Sequence, residues 1–267
     1  MNNMNRNSLL YKIVHPINNK LLKIVRRVYQ KKLADWYIYT DYPEKIRKFK
    51  GIHQGERCFI IGNGPSLTAQ DLDLIKDEKS FSCNKIYYIT DKTKWQPYYY
   101  AVNDRGFVRD DFHNIINKVK AKAKFVGIEF EKQLAKPYLD SDVIILREKT
   151  ILQKMKPKWH LDIDDYICSG HTVTFIMVQI AIYMGFTEIY FLGQDCSYFA
   201  TYENGGVGQN HFYKSNHVLA KADADYMVLA FQSIKEMAEE QNVKIYNATR
   251  GGKLEMFHRV KLEDVVK

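Results

Sequence analysis

The chain has 267 residues, of which 46% are hydrophobic and 27% charged, a globular balance that excludes a disordered or low-complexity protein. This length suits one large α/β domain, alone or with an appendage. The net charge of +9 belongs to residues 1–50, which hold 12 Lys/Arg against 3 Asp/Glu, while the remaining body is neutral. A nucleic-acid groove places its positive charge on the folded body, so nucleic acid is not an expected partner.

Taken in chain order, the first apolar run is short and is interrupted by Lys12, His15 and Pro16, which does not describe a signal peptide. No window approaches the ~20 apolar residues needed to span a bilayer. Residues 17–34 read as an amphipathic helix, with Ile17, Leu21, Ile24, Val25 and Val28 at helical spacing among Lys20, Lys23, Arg26, Arg27 and Lys31. Trp36, Tyr37 and Tyr39 follow. Basic, apolar and interfacial aromatic residues together describe a helix lying on an anionic membrane surface. A helix packed on its own domain or on a second subunit carries the same pattern, which leaves a homo-oligomer open. The expected location is cytoplasmic and peripheral, on the inner face of the membrane. Residues 40–56 read as a linker, dividing the chain into an N-terminal segment, 1–50, and a main domain, 51–267.

Cys58 to Ile61 form an unbroken apolar run, the pattern of a parallel strand buried on both faces. It breaks into Gly62-Asn63-Gly64-Pro65-Ser66, where two glycines permit positive φ and close approach of a ligand. Asn63 and Ser66 add donors to the exposed backbone N–H groups, giving a place for a phosphate at the helix start. The turn is neither GxGxxG nor GxxxxGK[ST], so dinucleotide and Walker readings fail on spacing. A tight turn without a ligand is the plainer alternative.

Leu67 to Lys76 reads as a helix, Ser80 to Asn84 as a short strand, and Tyr98 to Val102 as a strand ending at Asn103 and Asp104. Such polar residues stand where a parallel sheet presents its ligand-binding carboxyl edge, although Asn is also a common turn residue. Phe112 to Lys120 is expected to be helical, Lys124 to Ile128 and Asp142 to Leu146 to be strands, and 147–166 to be irregular. Asp162-Ile-Asp164-Asp165 has the form of a DxD metal motif, but no clear strand precedes it and a surface acidic turn is expected. Ser169-Gly170-His171-Thr172 opens a long apolar helix with Ser169 as N-cap, a second anion-binding position. After Gly185, Glu188 to Leu192 is a central strand with Gly193-Gln194-Asp195 at its end.

Residues 196–217 form a long Gly- and Tyr-containing loop, and a lid region over about 196–221 is the expectation. Ala222 to Gln241 is a helix, Val243 to Tyr246 the last strand, and 247–253 a basic turn. Cys58, Cys83, Cys168 and Cys196 show neither CxxC nor His/Cys ligand spacing, which predicts reduced thiols without zinc or disulfide. The βα alternation predicts an α/β fold with a doubly wound, mostly parallel, Rossmann-like sheet.

Assembled, the carboxyl edge carries Asn63, Ser66, Asn84, Asn103, Ser169, Asp195, Tyr198, Tyr202 and His211. Neutral amides and hydroxyls without a metal cage or GxSxG nucleophile can hold a nucleotide. Tyrosines can stabilise a leaving phosphate while a histidine deprotonates an attacking hydroxyl.

Ile60-Ile-Gly-Asn-Gly-Pro-Ser-Leu67, Cys83-Asn84, Cys168-Ser-Gly170 and Gly185-Phe-Thr-Glu-Ile-Tyr-Phe-Leu-Gly-Gln-Asp195 resemble segments of bacterial sialyltransferases of glycosyltransferase family 42. They equally resemble the domain-of-unknown-function-115 proteins, which are 6-hydroxymethylpterin diphosphokinase-like; Asn210-His-Phe212 and Ile245 to Phe257 are closer to this second group. The first resemblance implies that Asn63, Ser66, Asn84, Asn103, Ser169 and Gly170 hold a CMP-sugar and that Tyr198 and Tyr202 support the leaving phosphate. It also implies a lid histidine as base, His211 or His217, with His211 preferred. Ser197 stands where those enzymes carry the first tyrosine, and Tyr166 where they carry an arginine.

The expectation is therefore a metal-independent glycosyltransferase, sialyltransferase-like, with His211 as base and no cofactor beyond the nucleotide-sugar substrate, which would be CMP-linked. Its acceptor would be an oligosaccharide or a lipid-linked glycan of the cell surface. Gly62, Gly64 and Asp104 join the expected nucleotide-binding set. Two alternatives are a Mg-dependent pyrophosphokinase of the 6-hydroxymethylpterin type, with Asp104, Asp195 and 162–165 as metal ligands, and a non-catalytic nucleotide-binding subunit of a glycan-assembly complex.

Overall fold

The computed structural model describes residues 21, 24–25, 27–104, 117–128, 143–150, 155–196, 211–213 and 221–266. Nine strands form one sheet, β1 (Arg57–Ile61), β2 (Ser80–Cys83), β3 (Tyr99–Val102), β4 (Ala123–Ile128), β5 (Val143–Thr150), β6 (Ile167–Ser169), β7 (Glu188–Leu192), β8 (Lys244–Asn247) and β9 (His258–Arg259). Their order is β6-β5-β4-β3-β2-β1-β7-β8-β9 and every neighbouring pair is parallel. The fold is α/β and Rossmann-like. Strand order reverses between β1 and β7, the topological switch point where open α/β sheets leave a crevice at their carboxyl ends.

β1, β3 and β7 are largely apolar because both of their faces are covered, and β2, Ser80-Phe-Ser-Cys83, is as fully buried between them. α5 (Val173–Tyr183) is buried at ten of its eleven positions and has no polar face, since it is enclosed by protein on every side. α6 (Lys221–Glu240) is amphipathic and packs against it.

Several boundaries differ from the sequence reading. After the N-terminal helix α1 (27–37), the linker expected at 40–56 contains α2 (Tyr42–Arg47), whose Pro43 sits in the first turn, where a missing N–H costs nothing. Leu33, Tyr37, Tyr42 and Ile46 belong to the main core, and the Tyr37 hydroxyl donates to the Ile145 carbonyl at 2.9 Å. The segment after about residue 33 is thus part of the folded body. β5 runs on to Thr150 through Arg147-Glu148-Lys149, and β6 and β9 are too short to give a periodic signal. The helix after the Gly-rich turn is shorter than expected, α3 (Ala69–Leu74), and α4 (Tyr87–Thr90) follows β2. The 162–165 turn is a surface feature, with Asp162, Asp164 and Asp165 paired to Lys50, Arg47 and Arg147. All four cysteines are buried, and none is in a disulfide among the described residues. The expected helix 112–120 and the lid loop fall largely outside the described residues, although 117 and 118 are helical.

Behind β1, His53 is stacked on Phe186 at 4.5 Å and hydrogen-bonded to the Tyr99 hydroxyl at 2.7 Å and to Glu56 at 3.0 Å. Burial pushes its imidazole below the ordinary value of 6.5, opposed by the Glu56 carboxylate. The folded protein thus binds this proton more weakly than the unfolded chain. Its contribution to stability is complete above the unfolded value and is lost as pH falls through the folded one. The melting temperature should therefore drop as pH falls below about 6.5, and less steeply in His53→Gln. Equal pH dependence in both proteins would place the titration elsewhere.

Candidate functional site

At the switch point the β1 and β7 turns run on together. Gly62 N–H donates to the Leu192 carbonyl at 2.8 Å and Gly64 N–H to the Gly193 carbonyl at 2.9 Å. A Cβ on Gly62 would strike the Gly193 carbonyl, and one on Gly64 the Asp195 carboxylate and, at 2.6 Å, the same carbonyl. Neither glycine has positive φ, contrary to the expectation from the turn. Glycine is required here because backbone meets backbone, not for a left-handed conformation.

The loop so formed is braced from below. Asp195 accepts from Ser66 N at 3.1 Å and from Ser66 Oγ at 2.8 Å, and Lys253 N–H donates to the Asp195 carbonyl at 2.6 Å. Burial pushes the Asp195 carboxyl upward, and the Ser66 bonds pull it back. Ser66, expected to face a ligand, instead spends its hydroxyl on this brace. The start of α3 is no anion site either, because Thr68 and Asp71 close a capping box over its first donors.

Above this brace lies a cleft of about 450 Å³. It is lined by Gly62, Asn63, Gly64, Asn84, Asn103, Asp104, Ser169, Asp195 and His211, so nine of the expected residues converge. Asn63 Nδ2 donates to the Cys83 carbonyl at 3.1 Å, which aims the side chain across to β2. Among the described residues its Oδ1 is buried without a hydrogen-bond partner, as is Oδ1 of Asn84, a residue held at φ 49°. Both residues line the cleft, and a buried amide oxygen without a donor is one that a small side-chain rotation would present to ligand N–H or O–H groups.

Opposite them stands the amino end of α5. Its N-cap is Thr172, which accepts from Thr174 N–H at 3.3 Å; Ser169, expected in that role, is instead the last residue of β6. Thr172, Val173 and Thr174 line the cleft, so the positive end of a three-turn helix opens on it. Gly170 does not line the cleft; it lies against the Phe175 ring, where no Cβ would fit.

His211 reaches the cleft from the chain that follows β7. Phe212 N–H donates to the Asn63 carbonyl at 2.9 Å, fastening this segment to the Gly-rich turn, and the His211 ring stacks on Tyr213 at 4.8 Å. Tyr198, Tyr202 and His217 lie outside the described residues.

Glu148, Thr174 and Met227, which the sequence reading did not single out, line the cleft as well, with His171, Thr172 and Gln194 from the turns quoted above. Glu148 is only 5% exposed and accepts from Asn103 Nδ2 at 3.2 Å. Gly127 makes room for it, since a Cβ there would lie 2.7 Å from its carboxylate. The Gln194 amide hydrogen-bonds to the Thr174 hydroxyl at 3.1 Å, tying the β7 turn to α5.

Residues 31–201 match the family described as 6-hydroxymethylpterin diphosphokinase MptE-like, well over half of the chain. The chain belongs to the MptE-like family. Among solved structures, a glycosyltransferase MAf from Magnetospirillum magneticum AMB-1 superposes with a TM-score of 0.52 at 15% identity. That match covers 84% of this chain but only 38% of the larger protein. The sialyltransferase CstII from Campylobacter jejuni, solved with cytidine-5'-monophosphate, gives a TM-score of 0.49 at 16% identity over 78% of this chain and 85% of its own. No curated protein matches the sequence significantly. At these identities the structural likeness is one of fold. The MptE-like segment contains β1 to β7 with the Gly-rich turn, Asn84, Asn103, Ser169 and Asp195, whereas His211 lies beyond it.

Proposed function

We propose that this MptE-like protein is a nucleotide-sugar-dependent glycosyltransferase, sialyltransferase-like, acting on an oligosaccharide or lipid-linked glycan at the inner face of the membrane. The observation that carries the reading is the fastening of His211 over the same cleft that holds Asn63, Asn84, Asn103 and the start of α5. The helix terminus suits the donor phosphate, and the two unsatisfied Asn oxygens suit the amine or hydroxyl donors of a nucleoside, most simply a cytidine. His211 would take the proton of the acceptor hydroxyl as that oxygen bonds to the sugar and the sugar–phosphate bond breaks. Tyr198 and Tyr202 are the proposed donors to the departing phosphate, and no metal is required for that step.

The family match favours a second reading, pyrophosphoryl transfer from ATP to a pterin alcohol. Magnesium would supply charge neutralisation there. Two of the cleft's carboxylates already serve the protein, since both Asp195 oxygens meet Ser66 and Glu148 receives Asn103. Asp104 also lines the cleft, but among the described residues no group of three or more His, Cys, Asp or Glu is placed to hold a metal ion.

Thermal shift against CMP, CDP, UDP, GDP and ATP, each with and without Mg²⁺, separates these readings. A nucleotide at a hundred times its dissociation constant should stabilise by roughly 2.7 kcal/mol. Stabilisation by CMP without metal is the expected result. A shift only with ATP and Mg²⁺ would transfer the assignment to the pyrophosphokinase, and one with UDP or GDP would change the donor alone.

A further inference from the structure

The helix that precedes α2 has two apolar faces, and the body uses one of them. Its described residues, 21, 24, 25 and 27–37, are helical. At 3.6 residues per turn, Leu33 and Tyr37 point one way and are buried in the core. Leu21, Ile24, Val25 and Val28 share another face, well over a quarter turn round the axis. That face is open, with Leu21 57% and Ile24 54% exposed, and Tyr29 beside it at 53%. Just past the helix, Ile38 is exposed and Tyr39 is 86% exposed.

This helix is buried only at Leu33 and Tyr37, in its last turn, and the apolar stripe on its exposed part calls for an occupant. Its chemistry is indicated by charge. Arg27, Lys31 and Lys32 are exposed around the stripe, and the whole excess of +9 lies in residues 1–50, with the rest of the chain neutral. A soluble partner surface would need a matching acidic rim, whereas an anionic lipid surface answers both features at once. The apolar stripe enters the acyl boundary, the lysines and arginines meet the headgroups, and exposed tyrosines sit at the interface.

We infer that this helix is a membrane-surface anchor, which docks the folded body onto anionic lipid through Leu21, Ile24, Val25 and Val28 and the basic residues beside them. Leu33 and Tyr37, with the Tyr37–Ile145 hydrogen bond, make the anchor rigid with β5 rather than a free tether. No helix among the described residues is long and apolar enough to cross a membrane, so the contact is peripheral. The inference is independent of the reaction carried out in the cleft.

The full chain should co-sediment with vesicles of equal parts phosphatidylcholine and phosphatidylglycerol, and much less with phosphatidylcholine alone. Each basic side chain near such a surface is worth roughly fivefold in partitioning, so Arg27→Glu with Lys31→Glu should weaken binding by well over tenfold, as should added salt. Val25→Glu with Val28→Glu should weaken it comparably, and both variants should melt like the native protein because the changed residues are exposed. Unchanged partitioning in both variants would overturn the anchor. So would a native protein that ignores the anionic vesicles, or a dimer in light scattering that Val25→Glu with Val28→Glu dissociates without any vesicle binding, which would make the stripe a contact between copies.

Discussion

His211→Ala is expected to lower turnover by roughly 10² to 10⁴-fold while leaving nucleotide-induced thermal stabilisation intact. The ring lines the cleft from a segment whose backbone hydrogen-bonds to Asn63, so the proposed base is fastened to the turn that shapes the cleft. Removing the imidazole takes away the proton acceptor but leaves that Phe212–Asn63 backbone bond, the Asn63 and Asn84 oxygens and the α5 terminus. Binding and chemistry should therefore separate, with kcat falling and the nucleotide affinity unchanged. A single-turnover assay with the donor and acceptor found by thermal shift measures this. Full activity in His211→Ala would remove the general-base role. A protein with no turnover in either form that still binds the nucleotide would be the non-catalytic subunit.

Gly64→Ala should destabilise the fold by about 3 kcal/mol or more, close to the upper end for overpacked sites. The added methyl would occupy space held by the Asp195 carboxylate and by the Gly193 carbonyl. The side chain can swing aside only by giving up both Ser66 bonds, and the carbonyl is fixed by β7. Since Gly64 does not have positive φ, alanine incurs no backbone strain there, and the whole effect is steric. Urea denaturation of Gly64→Ala, Asp195→Ala and the double variant forms a cycle that tests this. The double variant should be less destabilised than the sum of the singles, because one obstacle is gone, but still less stable than Asp195→Ala. Strict additivity would mean that the carboxylate is not what the methyl meets.

The strands at the centre of the sheet were legible because burial on both faces writes an uninterrupted apolar run, as in Cys58-Phe-Ile-Ile61 and Ile189-Tyr-Phe-Leu192. The amides after them were legible because the carboxyl edge of a parallel sheet is the same place in every such fold. What stayed hidden depends on distant partners. Arg147-Glu148-Lys149 reads as solvent-facing, yet Arg147 is buried against Asp165, Glu148 against Asn103, and Lys149 lies over the Tyr166 ring. Only the fold brings those compensations together, so Glu148 gave no signal as a cleft residue. The glycines of the turn were found but their reason was not, since a sequence records a missing Cβ and not whether φ or a neighbour demands it. Ser66 was assigned to a ligand for a similar cause, its true partner Asp195 lying far along the chain.

The central position of β1 also governs how the chain must be made. β1 pairs with β2 soon after synthesis, but its other edge waits for β7, with Arg57 opposite Glu188 and Ile61 opposite Leu192. Until then an apolar strand edge stands open beside a turn that lacks its contacts with Gly193 and Asp195. Such non-local parallel pairing folds slowly and leaves an aggregation-prone intermediate. During translation the cleft therefore cannot form strand by strand. It is complete only after β7 and the Lys253 turn that meets Asp195 have been made.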